Sequence, residues 1–595
     1  MNPADDYRRR REAWLARKAI LDANFKRIGY ARVAVALFTA ALAWLAFGMH
    51  SLSVWWLLPA IFAFIALAIW HSKVIAQRKR ATRAVAYYQQ RSDRLEGEWA
   101  GTGPTGERFR DSSHVYAEDL DILGAGSLFQ LASCARTAAG EETLAHWLLA
   151  PATRPVALAR QAAVAELRGR IDLREEIALL GEDLAERTNR ETLTAWAAGA
   201  PVKFRPHARQ IALALAMASI ATFLAFLGHL MPLWPFLVVL ACDLIFRFAE
   251  RQRVQQALEG VDTPAKDLEI LALVLHRLIR ESFEDPRLRQ LQAALHVDNV
   301  SAPARISRLQ RWIEMLHSGD HLLVKLIGPA LLWQEQVAMG IEAWRRDTGR
   351  YASQWLATVG EFEALLSLAS LAFERPGWSI PELRETGAVF DSKNLQHPLM
   401  SPVACVPNDV TMGEHRLTIV SGSNMSGKST LLRAVGLNTV LAWSGGPVAA
   451  TRMSLSPLAT GASIRVVDSL LTGKSRFFAE ITRIRAIIEL TRGPRPVLFL
   501  LDELLSGTNS HDRRIGAAAI VRSLVKSGAI GMMTTHDLAL TRIEQDLDGL
   551  ARNVHFDDSF VNGEIEFDYR LKPGIVVRSN AIDLMRSIGL PVDER

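Results

Sequence analysis

Residues 33–49, 52–70, 211–228 and 230–246 are runs of apolar side chains, set in a chain that elsewhere mixes apolar and polar positions at short spacing. Each run reaches roughly the 17 residues needed for a helix to cross a bilayer. The first two are separated by a turn at Ser51 and Ser53, the last two by Gly228 and His229, with Pro232 and Pro235 marking the turn or the start of the next helix. Lys and Arg cluster outside each pair, as Arg27 and Arg32, Lys73 and Arg78, Lys203 and Arg209, and Arg247 and Arg251, whereas the turns carry none. The pattern predicts two transmembrane helical hairpins with both ends of each on the cytoplasmic side. Trp55, Trp56 and Trp70 suit the interface, and Asp243 is the one costly charge inside a run. A buried pair of soluble helices is the competing reading for 211–246. A second span follows the first at once, and no small-residue cleavage site is evident, so 33–49 is not expected to be a cleaved signal peptide.

Outside these runs, 119–151 and 264–373 show apolar residues every three or four positions, a helical period, ending at Arg375-Pro376-Gly377. Beyond them, short apolar runs at 417–420, 497–501 and 530–534 alternate with helical stretches, which predicts a parallel α/β sheet. With 595 residues, several structural units are expected. The divisions read from the pattern are a basic cytoplasmic segment at 1–32, hairpins at 33–70 and 207–247, a helical region at 71–206, a second at 248–380, and an α/β domain at 381–595.

Composition refines this picture. The net charge is +6, yet residues 1–90 carry 14 Lys and Arg against 4 Asp and Glu, which leaves the remaining chain net acidic. Global positive charge therefore gives no support to nucleic-acid binding by the C-terminal part, although a local basic groove is compatible with it. The three cysteines, Cys134, Cys242 and Cys405, form no CxxC pair, so neither a disulfide framework nor a zinc site is suggested and a reducing compartment fits.

Candidate chemistry gathers near the three apolar strands. Gly422-Ser423-Asn424-Met425-Ser426-Gly427-Lys428-Ser429 matches GxxxxGK[ST], follows a strand and opens a helix at Thr430. Such a loop wraps phosphates with backbone N–H groups; its lysine reaches the β- and γ-phosphates and its serine ligates Mg²⁺. Asp502 and Glu503 end the second strand. Alone they read as an ordinary strand exit; beside a P-loop, Asp502 is expected in the Mg²⁺ shell and Glu503 to activate the attacking water. Thr534-Thr535-His536-Asp537 ends the third strand, where His536 is placed to sense the γ-phosphate; a helix cap with a bystander histidine is the alternative.

These residues also carry a family likeness. SGSNMSGKST (421–430) resembles the P-loop of the MutS DNA mismatch-repair family, typically TGPNMGGKS, including the Asn-Met pair. LLDELLSGTNSHD (500–512) looks like that family's LLDEIGRGTSTxDG, TTHD (534–537) is similar to its ATH element, and DSLLTGKSRFFAE (468–480) resembles its Ser-x-Phe-x-x-Glu segment. DLDILGAGSLFQLASCARTAAGEETLAHWLLAP (119–151) looks like the start of the MutS core, and 569–591 like the end of the ATPase domain. The resemblance runs over 119–591, interrupted by the second hairpin.

Beside the two transmembrane hairpins read from the apolar runs, it implies a multidomain chain with an all-α core and lever-like region and a C-terminal α/β P-loop NTPase domain of ABC-like type. It further implies Mg²⁺-dependent ATP hydrolysis. Glu503 and His536 are the implied catalytic pair, Ser429 and Asp502 the metal ligands, and Gly422, Ser423, Asn424, Met425, Ser426, Gly427, Lys428, Ser429 and Thr430 the nucleotide loop. Ser475 is implied to act in trans on a partner's γ-phosphate in a homodimer with composite sites, and 508–512 to form the loop coupling them. The chain departs from the family in having membrane runs where a mismatch-reading domain with its Phe-x-Glu wedge is expected. It shows a short lever region, no C-terminal nuclease domain, and Leu-Leu-Ser-Gly after Glu503 in place of Ile-Gly-Arg-Gly. Two functions are therefore expected to compete: an inner-membrane, DNA-transacting ATPase carrying the mismatch-repair label, or a membrane switch that uses the same engine on a protein or envelope partner. An ABC transporter is the weaker third, since no LSGGQ-type signature precedes residue 497.

Overall fold

The computed structural model describes residues 2–49, 51–185, 190–319, 322–401, 403–423, 425–465, 476–506, 508–561 and 564–576. It separates into two units, Met1–Ala100 with Ile171–Leu179, and Gly101–Arg170 with Leu180–Arg595.

The first unit is built on two long helices, α1 (Pro3–Ala43) and α2 (Leu57–Glu96). Cross-helix pairs fix their register. Tyr7 packs on Tyr88, Asp22 pairs with Arg78, Phe25 meets His71, and the Arg32 guanidinium lies over Phe64. As the first index rises the second falls, so the helices run antiparallel. The apolar runs at 33–49 and 52–70 are thus only the turn-proximal thirds of much longer helices. Residues 1–32 do not form a separate segment, because they continue α1 without a break and pair with the far half of α2. There the seam is mixed: Leu21, Ile28, Val74 and Ala81 form a small core. Toward the turn it opens to bare apolar surface, with Trp55, Phe62 and Leu37 among the exposed side chains. Residues 171–179, the start of α3 (Ile171–Ala185), close the polar end: Trp14 donates to Glu175 at 3.1 Å, Arg80 pairs with Glu176 at 3.3 Å, and Tyr88 donates to Glu175.

In the second unit the other two apolar runs lie on α4 (Ala208–Leu227) and α5 (Trp234–Leu258). Phe223 against Phe236 and Ser219 against Asp243 set them antiparallel. Asp243, the charge inside the fourth run, lies on α5 facing α4. It is fully buried between the two helices and accepts from Ser219 Oγ at 2.8 Å. The fourth run begins in the turn, and its helix starts only at Trp234, carrying Arg247, Glu250 and Arg251 beyond it. By length and composition, four described helical stretches could cross a membrane: Pro3–Gly48, Val54–Glu96, Ala208–Leu227 and Trp333–Glu374. The last is 89% buried inside the protein, whereas the first three are 6%, 6% and 17% buried, so Trp333–Glu374 is a core element of the fold.

That core joins α6 (Asp262–Ile279), α7 (Ala302–Ser318), α8 (Trp333–Thr348) and α9 (Ala352–Glu374). Helix α9 packs on helices Ala138–Leu149 and Arg154–Arg168. Its buried Glu363 accepts from the Thr137 backbone N–H at 3.1 Å and hydroxyl at 2.5 Å, which satisfies a carboxylate that would be costly if left unpaired.

The α/β part holds β1 (Phe390–Leu395), β2 (Asn408–Met412), β3 (Leu417–Ser421), β4 (Arg452–Leu455), β5 (Ala459–Ser463), β6 (Val497–Leu501), β7 (Ile530–Thr535), β8 (Ala551–Val561) and β9 (Glu564–Pro573). A six-stranded sheet has the order β9-β8-β3-β7-β6-β5. Five of its strands are parallel and β9 returns antiparallel along β8. β1, β2, β4 and the short strand Glu382–Leu383 form a second sheet. Strands β3, β6 and β7 are buried throughout, which explains their uninterrupted apolar sequence. Helix α10 (Lys428–Ser444) is buried on nearly every side and packs against β6, β7 and helices Ala138–Leu149 and Arg154–Arg168. It gives the loop before it a rigid base.

Candidate functional site

The loop from β3 to α10 is set by backbone conformation. Gly427 (φ +101°) is the left-handed residue before the first helical turn, and a Cβ there would stand 3.3 Å from the Tyr569 ring. Gly422 (φ +150°) passes so close to β8 that a Cβ would meet Phe556 O at 3.1 Å and Ser426 Oγ at 2.9 Å. Both positions need glycine. Lys428 folds back over the loop, its Nζ donating to Gly422 O at 3.1 Å and Ser423 O at 2.6 Å. Burial pulls its pKa down, while the carboxylates of Glu503 and Asp502 oppose that pull. An ammonium held among carbonyls in this way is ready to exchange them for an anion. The hydroxyls of Ser423 and Ser426 are buried without a hydrogen-bond partner among the described residues. Ser429 and Thr430 follow in the first turn of α10, where free N–H groups and the helix dipole favour negative charge.

Opposite the loop, β6 and β7 deliver their C-terminal residues side by side. The Asp502 backbone N–H donates to Ser463 O at 2.9 Å, and its carboxylate accepts from Thr534 Oγ1. The same Thr534 oxygen accepts from the Glu503 N–H at 3.0 Å, so one hydroxyl holds both acidic residues. Glu503 takes a positive φ of +47°, turning its side chain toward His536, whose Nε2 lies 2.6 Å from Glu503 Oε1. The His536 hydrogen bond keeps the Glu503 carboxyl below the usual range against the opposing effect of burial, with Lys428 and Arg513 adding charge attraction. The capping alternative for this turn is also realised: Asp537 N–H donates to Thr535 Oγ1 at 2.9 Å, and Asp537 caps Ala539. His536 makes its contact with Glu503 from within this capped turn. Behind the pair, Glu480 Oε1 accepts from the Leu505 N–H at 2.5 Å, tying α11 (Arg476–Leu490) to the turn that holds Glu503.

The structure thus brings Lys428, Asp502, Glu503 and His536 to one place, and Met425, Gly427, Lys428, Ser429, Thr430 and Glu503 line a single cavity of about 550 Å³. Met425 stands at its rim, 85% exposed. Asn424 and Ser475 lie outside the described residues. The segment 508–512 is a loop only in part: Asn509 caps α12 (Ser510–Lys526), so Ser510, His511 and Asp512 form its first turn.

The rest of the cavity wall was not singled out by motif reading. It comes from His397, Met400, Cys405 and Asn408 around β1 and β2, with Phe556 on β8 and Tyr569 on β9. His397 is buried, and burial together with Arg433 pushes its imidazole down to about 4, so it is neutral at pH 7. Asn408 accepts from Leu571 N–H at 2.7 Å and donates to Tyr569 O at 2.9 Å, holding Tyr569 (φ +50°) against the loop. The only sequence cues were turn-type pairs such as His397-Pro398 and Pro407-Asn408. A cationic loop at one end and an apolar, aromatic wall at the other suits a ligand that joins phosphates to a flat ring.

Residues 418–593 match MutS domain V, a span that begins in β3 and takes in both cavity walls drawn from the six-stranded sheet. Among curated proteins, the DNA mismatch repair protein MutS of Aquifex pyrophilus is 34% identical over 241 residues, which cover 39% of this chain and 27% of that protein. MutS of Lactococcus lactis subsp. cremoris (strain MG1363) is 30% identical over 258 residues, 42% of this chain and 30% of its own. MutS of Shouchella clausii is 32% identical over 244 residues, 40% and 27%. The chain therefore spans less than a third of the length of the curated relatives it matches.

Proposed function

We propose that this chain, whose residues 418–593 match MutS domain V, is a membrane-anchored ATPase of the MutS family, working as a homodimer with composite sites. The observation that carries the reading is that Lys428 and Glu503 line one cavity whose far wall is apolar and aromatic, with His536 in contact with Glu503 and Asp502 joined to it through Thr534 just behind. Lys428 binds the β- and γ-phosphates in place of the loop carbonyls. Ser429 and Asp502 would hold Mg²⁺. A nucleotide supplies phosphate oxygens of its own, so one hydroxyl and one carboxylate from the protein are a fitting donor set for this ion. The metal neutralises charge on the phosphates when bound. Glu503, kept ionised by His536, takes the proton of the attacking water, and His536 stands where the γ-phosphate leaves. Asn424 positions the phosphates and Ser475 reaches the partner's nucleotide.

Membrane anchoring rests on the exposed apolar surfaces of α1, α2, α4 and α5, which water would not tolerate over such an area. Both ends of each hairpin then face the cytoplasm, with the ATPase domain. Because the curated relatives are DNA mismatch repair proteins, DNA is the first partner to test. A second reading, a membrane switch acting on a protein or envelope partner, is favoured by the net acidic charge of residues 91–595.

ATP hydrolysis by the full chain in lipid nanodiscs, with homoduplex, mismatched and branched DNA at low and moderate salt, separates the two. Stimulation that survives moderate salt and differs among the DNAs supports a tethered DNA-transacting ATPase. Steady turnover indifferent to every DNA supports the switch. No turnover at all overturns the ATPase reading.

A further inference from the structure

The apolar surface of α4 and α5 does not end with those helices. The helix Leu322–Ile327 and the turn Gly328–Leu331 come between α7 and α8, and that turn packs against α4. The residue after it, Leu332, is fully buried with a left-handed backbone (φ +49°). It packs with Ala208, Ala212 and Met339, and Phe204, Leu215 and Phe246 flank the cluster. Ala208 opens α4 just before its apolar run, and Phe246 closes the run on α5. The cluster therefore marks the level at which both helices pass from polar to apolar surroundings. Charges ring the same level: Arg247 pairs with Glu335 at 3.2 Å, Arg205 with Glu250 at 3.4 Å, and the Arg209 guanidinium lies over Trp312.

At this boundary the segment presents two unlike faces. One side borders a polar cavity of about 440 Å³ lined by Arg247, Asp262, His317, Lys325 and Glu335. On the other, Leu326 and Ile327 are 81% and 53% exposed, while Phe248 on α5 is 81% exposed just beyond Arg247. Two adjacent exposed aliphatic side chains at the end of the short helix, followed at once by a turn seated against an apolar helix at its polar-to-apolar boundary, match the geometry of a segment lying in the headgroup layer.

We infer that residues 324–332 are an interfacial membrane contact in which Leu326 and Ile327 enter the headgroup–acyl boundary of a phospholipid bilayer beside α4. This rests on the reading of α4 and α5 as membrane-inserted. The contact would fasten the α7–α8 connection, and through α8 the buried core, to the membrane surface at a point distinct from the helix ends.

The test is photocrosslinking of the full chain in phosphatidylethanolamine–phosphatidylglycerol nanodiscs. p-Benzoylphenylalanine is placed at Leu326 or Ile327, and separately at Leu224, which is 60% exposed in the apolar run of α4 toward the turn. The expected result is a lipid adduct at Leu326 and Ile327 in yield comparable to Leu224, read by intact-protein mass. A lipid adduct at Leu224 with none at either segment position overturns the inference and leaves the hairpin reading standing. A protein–protein adduct at Leu326 in place of lipid assigns the surface to a second copy and also overturns it. Absence of lipid adducts at all three positions removes the hairpin reading and this inference with it.

Discussion

The Glu503 carboxylate and the His536 imidazole meet at 2.6 Å, although they stand 33 residues apart in the chain. The contact depends on the left-handed turn at Glu503 and on Thr534, which holds the backbone of that turn in place. It holds the Glu503 carboxyl below its usual range against the effect of burial and gives it a fixed direction.

Replacement Glu503→Gln is expected to preserve nucleotide binding and stop turnover. Loss of a positioned general base costs about 10²–10⁴-fold. Single-turnover hydrolysis beside a binding titration measures both quantities; turnover like the unmodified chain would refute the role.

Lys428→Ala removes a charge-assisted contact worth about 1.5–3 kcal/mol, or roughly 10–100-fold in nucleotide affinity. Titration with a fluorescent ATP analogue reads the loss. Unchanged affinity would show that phosphate is bound elsewhere.

For His536→Asn the sign follows from the hydrogen bond that holds the Glu503 carboxyl down. Without the imidazole that pKa rises, Glu503 protonates at higher pH, and the acid limb of the kcat–pH profile moves upward. A profile displaced downward, or unmoved, would count against the pairing.

Thr534→Val deletes the hydroxyl that donates to Asp502 and accepts from the Glu503 N–H. The buried groups left without that partner make a stability loss of about 1–3 kcal/mol the expectation, with a fall in kcat beyond that due to unfolding. Denaturant melts and kcat at a temperature below the transition separate the two effects.

His397 gives the protein an acid sensitivity of its own. Its folded-state value of about 4 lies below the ordinary 6.5, so the unfolded chain takes up this proton first as pH falls. Stability is then lost between about 6.5 and 4, reaching at most about 3 kcal/mol. Over that window the chain bearing His397→Gln should lose less stability than the unmodified chain in parallel urea titrations.

Much of the candidate site was legible because its parts are local. A buried parallel strand must be apolar on both faces, and a phosphate-wrapping turn needs glycine at fixed places. The sequence around β3, β6 and β7 therefore announces the strands together with the turns at their C-terminal ends. The cavity wall was not legible: His397, Asn408, Phe556 and Tyr569 come from four separate stretches and share no spacing rule. One other element was read by composition where packing decides. Residues 1–32 looked like a separate basic segment, because the charges facing outward hid the Leu21 and Ile28 seam that pairs with Val74 and Ala81. Helices α8 and α9, read as part of a helical region from their period, are indeed in the core, and 89% of their most apolar window is buried.

By itself, then, the sequence determined the phosphate loop, the acidic and histidine strand ends, and the apolar runs, since each is a short-range pattern imposed by backbone geometry or by the exclusion of water. The tertiary structure alone decided which partners those residues meet. It placed His536 on Glu503, Tyr569 against Gly427, Asp243 between two helices, and Leu332 at the edge of the apolar surface. Contacts between distant stretches depend on how the chain packs, and no spacing along it encodes them.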